Sequence, residues 1–225
     1  MILIGLSLLF LWMIFREISG ADGNFDKFSM VYVTVLGLLA LACIRPIYQT
    51  WRLEVFLSEN ASVVSGRNNV KVKCRSVYGT LFAGIAMKPG NRAGTAYIHT
   101  GEIFFENGWC KSFKQYLKNP EGASDDEVFS MHVYVHEVMH IRGERNEGRT
   151  DCQAIQRGHH IGEMLGVNPI TARINTLRYY NGLYKHHPYF SKHCRPGGKW
   201  DEKLDDSIWA KTAIDNVGRF VNGLR

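Results

Sequence analysis

Two uncharged runs stand near the start of the chain, MILIGLSLLFLWMIF at 1–15 and FSMVYVTVLGLLALACI at 28–44. A helix rises about 1.5 Å per residue, and crossing a bilayer core takes roughly 17–25 residues, so both runs sit at the short end of that range. Neither has a polar face, which argues against core helices of a soluble domain. The intervening REISGADGNFDK is polar and carries Gly20 and Gly23, as a turn between spans should. Trp12, Phe15, Phe28, Tyr48 and Trp51 lie near the ends of the runs, where aromatic residues anchor at the interface, and Arg45 can snorkel to headgroups. The pattern predicts a transmembrane helical hairpin within residues 1–50, followed by one domain over 51–225. The rival is a cleaved secretory signal followed by one anchor, but no basic residue precedes the first run.

Downstream, RPIYQTWRLEVFL continues as a helix leaving the membrane, and NNVKVKCRSVYG alternates as a strand ending at Gly79. TLFAGIAM is a short apolar run before the turn-rich KPGNRAG. AYIHTGEIFF predicts two short strands joined at His99-Thr100-Gly101, and NGWCKSFKQYL a helix stopped by Asn119-Pro120. Ser124-Asp125-Asp126-Glu127 has the form of a capping box, opening a helix through FSMHVYVHEVMHIR that ends at Gly143. A second helix starts near Asn146 and runs to Gly166. ITARINTLRYYNGLY is helical, and SIWAKTAIDNVGRFVNGL looks amphipathic.

The chain has 225 residues and a formal net charge of +6, with Lys and Arg scattered rather than striped. No nucleic-acid-binding motif accompanies that charge, so a nucleic-acid partner is not expected. Of the five cysteines, Cys43 lies in the second apolar run. Cys74, Cys110, Cys152 and Cys194 form no C-x2-C pair; they suit two disulfides outside the cytoplasm or free thiols inside, with three pairings open. Charge gives a divided signal on sidedness, since Arg45 and Arg52 oppose Arg16 and Lys27. The cysteines favour an extracytoplasmic domain.

HEVMH at 136–140 is the centre of the chemistry. On a helix, positions i and i+4 share a face, so His136 and His140 can grip one ion while Glu137 handles a proton beside it. A catalytic zinc takes three protein ligands and leaves one position open. Gly143 lets the chain reverse, which makes Glu147 the third candidate ligand, with Asp151 one turn later as a hydrogen-bond partner for a ligand imidazole. His132 lies one turn before His136. As a fourth ligand it would close the site; the preferred reading makes it a packed or supporting histidine. His159, His160, His186 and His187 are expected on the surface, and Tyr189 is the candidate oxyanion stabiliser.

HEVMHIRGERNEGRTDCQA resembles the zincin superfamily, and NEGRTD is similar to the E-x-x-A-D element of gluzincins such as the membrane-embedded heat-shock and CAAX-processing peptidases. Thr150 replaces the usual alanine here, and the two motifs lie much closer together than in those enzymes. The metzincin pattern fails, because its third histidine would fall at Asn146. A nearer likeness, over roughly 95–200, is to exported HExxH proteins of actinobacteria and their phages, through HIRGERNE, DCQAIQ and HCRPGG. This resemblance implies an α+β zincin-like domain with a small antiparallel sheet, an exported location and disulfides, for which the pairing taken is Cys74 with Cys110 and Cys152 with Cys194. It implies no particular substrate.

The resulting expectation is a membrane-anchored metallopeptidase with one Zn2+ per chain, held by His136, His140 and Glu147, with Glu137 as general base. Its partners are the lipid bilayer and a peptide or protein substrate. The alternative is a non-catalytic, membrane-tethered envelope-binding module with a structural zinc.

Overall fold

The computed structural model describes residues 2–20, 26–75 and 93–210. Helix α1 spans Ile2–Gly20 and α2 spans Lys27–Ser65, and both are long and apolar enough to cross a membrane. Their large apolar side chains, among them Leu8, Phe15, Val31, Leu38 and Leu41, are exposed. Contiguous exposed apolar faces of this size mark a surface that contacts a membrane or another protein. Asp26 caps α2 by accepting from the Ser29 N–H at 2.8 Å, while the Ser29 hydroxyl donates to Glu17 of α1 at 2.9 Å. These bonds tie the base of the hairpin. The expected second span is the first part of an unbroken 39-residue helix that contains Pro46 and passes residue 50 without interruption.

The C-terminal half of α2 belongs to the folded domain. Leu57 and Ala61 are fully buried in its core. Strand β1, Lys71–Cys74, runs alongside α2, whose side chains take up its N–H groups. The N–H of Val70 donates to the Ser62 hydroxyl at 3.2 Å, that of Val72 to Ser58 at 2.8 Å, and that of Cys74 to Glu54 at 2.9 Å. Every fourth helix residue advances about 6 Å and every second strand residue about 6.6 Å, so the two repeats stay in step.

β2, Gly94–Tyr97, and β3, Glu102–Phe105, complete a sheet in the order β1-β3-β2. β2 pairs antiparallel to β3, with Gly101 at φ +75° in the connection, as the hairpin reading expects. The sheet is nevertheless mixed rather than antiparallel, because β1 pairs parallel to β3, Lys71 opposite Glu102. Alternation identifies a strand but not its direction, and here the pairing depends on where α2 delivers β1. The expected extension of that strand to Gly79, the TLFAGIAM run and most of the C-terminal amphipathic stretch lie outside the described residues.

Four helices follow: α3 (Asn107–Lys118), α4 (Asp125–Arg142), α5 (Glu147–Met164) and α6 (Pro169–Arg178). Ser124 forms the predicted capping box, donating its N–H to Glu127 at 2.8 Å and accepting the Glu127 N–H at 3.3 Å. α4 is the central element, buried along most of its length. Phe105, Trp109 and Phe113 stack at centroid distances of 3.5 and 4.8 Å, and Phe113 meets Tyr134 of α4 at 5.4 Å. The Tyr134 hydroxyl lies 2.9 Å from both the Leu57 carbonyl oxygen and the Asn60 side chain, joining α4 to α2. Disulfides Cys74–Cys110 and Cys152–Cys194 fasten β1 to α3 and α5 to the loop after residue 187.

His159, expected on the surface, is buried between α5 and the segment around Asp206, because the helix turns that face inward. Burial, with the charge of Arg173, lowers its pKa from 6.5 to about 4. The unfolded chain therefore binds this proton first, and its contribution to stability is complete above pH 6.5 and declines as pH falls toward 4. Urea midpoints measured between pH 7 and 4 should fall less steeply for His159→Gln than for the wild type, whatever the absolute stability of the variant.

Candidate metal centre

Helix α4 places His136 and His140 one turn apart on the face that borders a cleft of about 450 Å³. Gly143, at φ +120°, stops the helix in a backbone conformation that side-chain-bearing residues rarely adopt. Three residues later Asn146 caps α5 by accepting the Arg149 N–H at 2.9 Å, so that Glu147 opens the new helix facing back. His136 Nε2 lies 3.0 Å from His140 Nε2 and 3.1 Å from Glu147 Oε2, and His140 Nε2 lies 3.2 Å from the same oxygen. The three expected ligands are thus together.

Hydrogen-bond partners determine what these atoms present. His140 Nδ1 is 2.7 Å from the Glu144 carbonyl oxygen, which can only accept, so Nδ1 carries the hydrogen. His136 Nδ1 faces the Asp151 carboxylate at 3.1 Å and donates as well. In the neutral rings both Nε2 atoms are therefore lone pairs, converging with a carboxylate oxygen. Three acceptors at such distances require a cation between them. The proton is one candidate: burial pulls His136 down, but the hydrogen bonds to Asp151 and Glu147, with the charges of Asp151 and Glu137, raise it from 6.5 to about 9. A metal ion is the other. Zinc bonds of about 2.0–2.1 Å in tetrahedral geometry set donor separations near 3.3 Å, close to those found.

Asp151 has no exposed surface. Its Oδ1 accepts from His132 Nε2 at 2.6 Å as well as from His136, and Oδ2 stands 3.2 Å from His187 Nδ1. Burial alone would raise its pKa, but the charge of His132 and the hydrogen bonds from His132 and His136, with His187 close by, hold it far below the usual carboxylate range. His132 is buried, stacks on Tyr179 at 3.7 Å and has its pKa lowered by burial. Its Nε2 is directed at Asp151 rather than at the His140–Glu147 corner. His132, His136 and Asp151 form a second group that could hold a metal ion, buried where the first opens on the cleft.

Glu137 and Glu147 shift in opposite directions. Glu137 is buried against β2, where a Cβ on Gly94 would stand 2.9 Å from its Cγ and Oε1; only glycine permits that approach. Burial raises its pKa, moderated by the nearby histidines and the Ala96 backbone N–H. Glu147, half exposed, is lowered chiefly by its hydrogen bond to His136. Tyr189 borders the cleft, its ring 5.7 Å from that of His136 at an interplanar angle of 16°.

His187 corrects a sequence expectation: instead of lying on the surface it lines the cleft and faces Asp151. No spacing rule joins residues 151 and 187. The pairing of Cys152, next to Asp151, with Cys194 is the one sequence feature that brings their segments together. Thr150 is buried, donates to the Asn146 carbonyl at 2.9 Å and lies 3.5 Å from His140 Nδ1. Comparison with protein-family models, curated proteins and solved structures finds no match to this chain.

Asp151→Asn should weaken divalent-metal binding by roughly 10- to 100-fold, as is usual when a ligand histidine loses its carboxylate partner, and His136→Ala should abolish it. Competition with a chromogenic chelator measures both. Wild-type affinity in Asp151→Asn would remove the carboxylate from the site.

Proposed function

We propose that this chain is a membrane-anchored, zinc-dependent peptidase whose domain works outside the cytoplasm. The observation that carries the reading is the convergence of two imidazole lone pairs and a carboxylate oxygen on an open cleft, with a second, buried carboxylate beside them. His136, His140 and Glu147 would hold the ion. When bound, zinc supplies Lewis acidity, making water nucleophilic near neutral pH and polarising a carbonyl. Glu137, raised by burial, is suited to take a proton from the attacking water and return it to the departing amine nitrogen. Tyr189 stands on the same cleft as an O–H donor for the developing oxyanion, and His187, whose Nδ1 faces Asp151, would donate there through Nε2–H as an imidazolium.

A peptide substrate is favoured by β2, which among the described residues pairs only with β3 and borders the cleft. An extended chain can add to such an edge through main-chain hydrogen bonds. Phe129, Val133, Ile98 and Pro188 supply apolar wall. The two disulfides favour the oxidising side of the membrane.

Glu137→Gln should retain zinc and lose peptide hydrolysis by roughly a thousandfold or more, at the upper end of what general-base loss removes. Undiminished turnover in that variant would eliminate Glu137 as the base. Tyr189→Phe and His187→Gln separate the two oxyanion candidates: the one in use should lower kcat by about 100-fold with little change in KM.

The alternative, a binding module with a structural ion, is favoured only by the buried group of His132, His136 and Asp151. The visible spectrum of the cobalt-substituted protein distinguishes them. A water-bearing site changes with pH and added anions, and a spectrum indifferent to both would turn the reading toward a closed site.

A further inference from the structure

We propose that the substrates are polypeptides themselves anchored in the same membrane, cut at a short, fixed height above it; this rests on the anchored-peptidase reading. The argument comes from how the domain is mounted. α2 is one continuous helix from Lys27 to Ser65, so no flexible linker separates the apolar span from the domain. Contacts begin at once beyond Arg45. Lys114 of α3 donates to Gln49 at 2.5 Å, and Lys73 pairs with Glu54 at 3.0 Å. The Ser62, Ser58 and Glu54 side chains take the N–H groups of β1, and Tyr134 of α4 reaches Leu57 and Asn60. Gln49 lies only about 6 Å along the helix axis from Arg45, so with Arg45 at the headgroups the domain would rest on the membrane surface. Tyr48 and Trp51 are both more than half exposed at this level, as interfacial anchors should be.

The same bonds set the height of the site. Tyr134 meets α2 at Leu57, twelve residues or about 18 Å beyond Arg45, and His136 lies two residues further along α4. With α2 upright and Arg45 at the headgroups, the candidate centre would sit on the order of 20 Å above the charged end of the span, a distance that about six extended residues cover. A substrate diffusing in three dimensions gains nothing from a rigid mount. One tethered in the same plane is presented at high local concentration, and only the part of it that reaches this height can enter the cleft.

The test uses full-length protein in proteoliposomes with zinc. A peptide that the wild type cuts is selected from a degenerate mixture, and copies of it are placed in tandem behind a single transmembrane helix, so that chemically identical bonds stand at increasing heights. Mass spectrometry then maps the cuts. The expected result is cleavage concentrated in the copies within about 5–12 residues of the bilayer, at least about tenfold faster than in the same array without its anchor. A helical insert of two turns between Ile47 and Tyr48 leaves every contact from Gln49 onward intact and should move the cuts outward by about three residues. Cleavage spread evenly along the array, equal rates with and without the anchor, or cut positions indifferent to the insert would overturn the fixed height while leaving the peptidase standing. Failure of the wild type to cut any peptide, anchored or free, would instead remove the peptidase reading and this inference with it.

Discussion

A carboxylate with no surface in water persists as an anion only where hydrogen-bond donors replace the solvent, and the centre of this domain is arranged around that requirement. Asp151 collects donors from His132 and His136 of α4 and faces His187 from the loop beyond α6. In doing so it fixes the tautomer of His136, so that the opposite nitrogen is bare and aimed at His140 and Glu147. The Glu144 carbonyl does the same for His140. The cation-seeking corner is thus a consequence of where the outer hydrogen bonds go. Removing the buried anion would free the His136 ring to change tautomer and orientation.

Environment also separates two glutamates that composition cannot distinguish. Glu137 is pressed between α4 and β2 and favours its protonated form more than usual; Glu147 lies at the open end among imidazoles and favours its charged form. One is suited to moving protons and the other to holding charge. The absence of a side chain at Gly94 makes the first possible, and the reversal at Gly143 makes the second possible.

α2 has two unlike halves in one rod. Its first part buries Leu36 and Ala40 and leaves most of its other large apolar side chains exposed, and its second part acts as a pseudo-strand whose hydroxyl and carboxyl groups satisfy the edge of β1. Because the same helix also touches α4 through Tyr134, the His136–His140–Glu147 corner is connected to the apolar half of α2 through packed side chains and hydrogen bonds rather than through a tether.

Local rules sufficed where the physics is local. The i, i+4 histidines, the capping box at Ser124, the reversal at Gly143 and the placing of Glu147 and Asp151 on one face of α5 all follow from helical period and termination, and they were readable from residues 124–151 alone. The two apolar runs were legible for the same reason, although the unbroken passage of α2 into the domain was only partly so. Tertiary structure alone decided the parallel pairing of β1 with β3, the arrival of His187 at Asp151, the burial of His159 and the pressing of Glu137 against Gly94. Each of these joins segments distant along the chain, and alternation or composition carries no information about which face meets which until the core has closed.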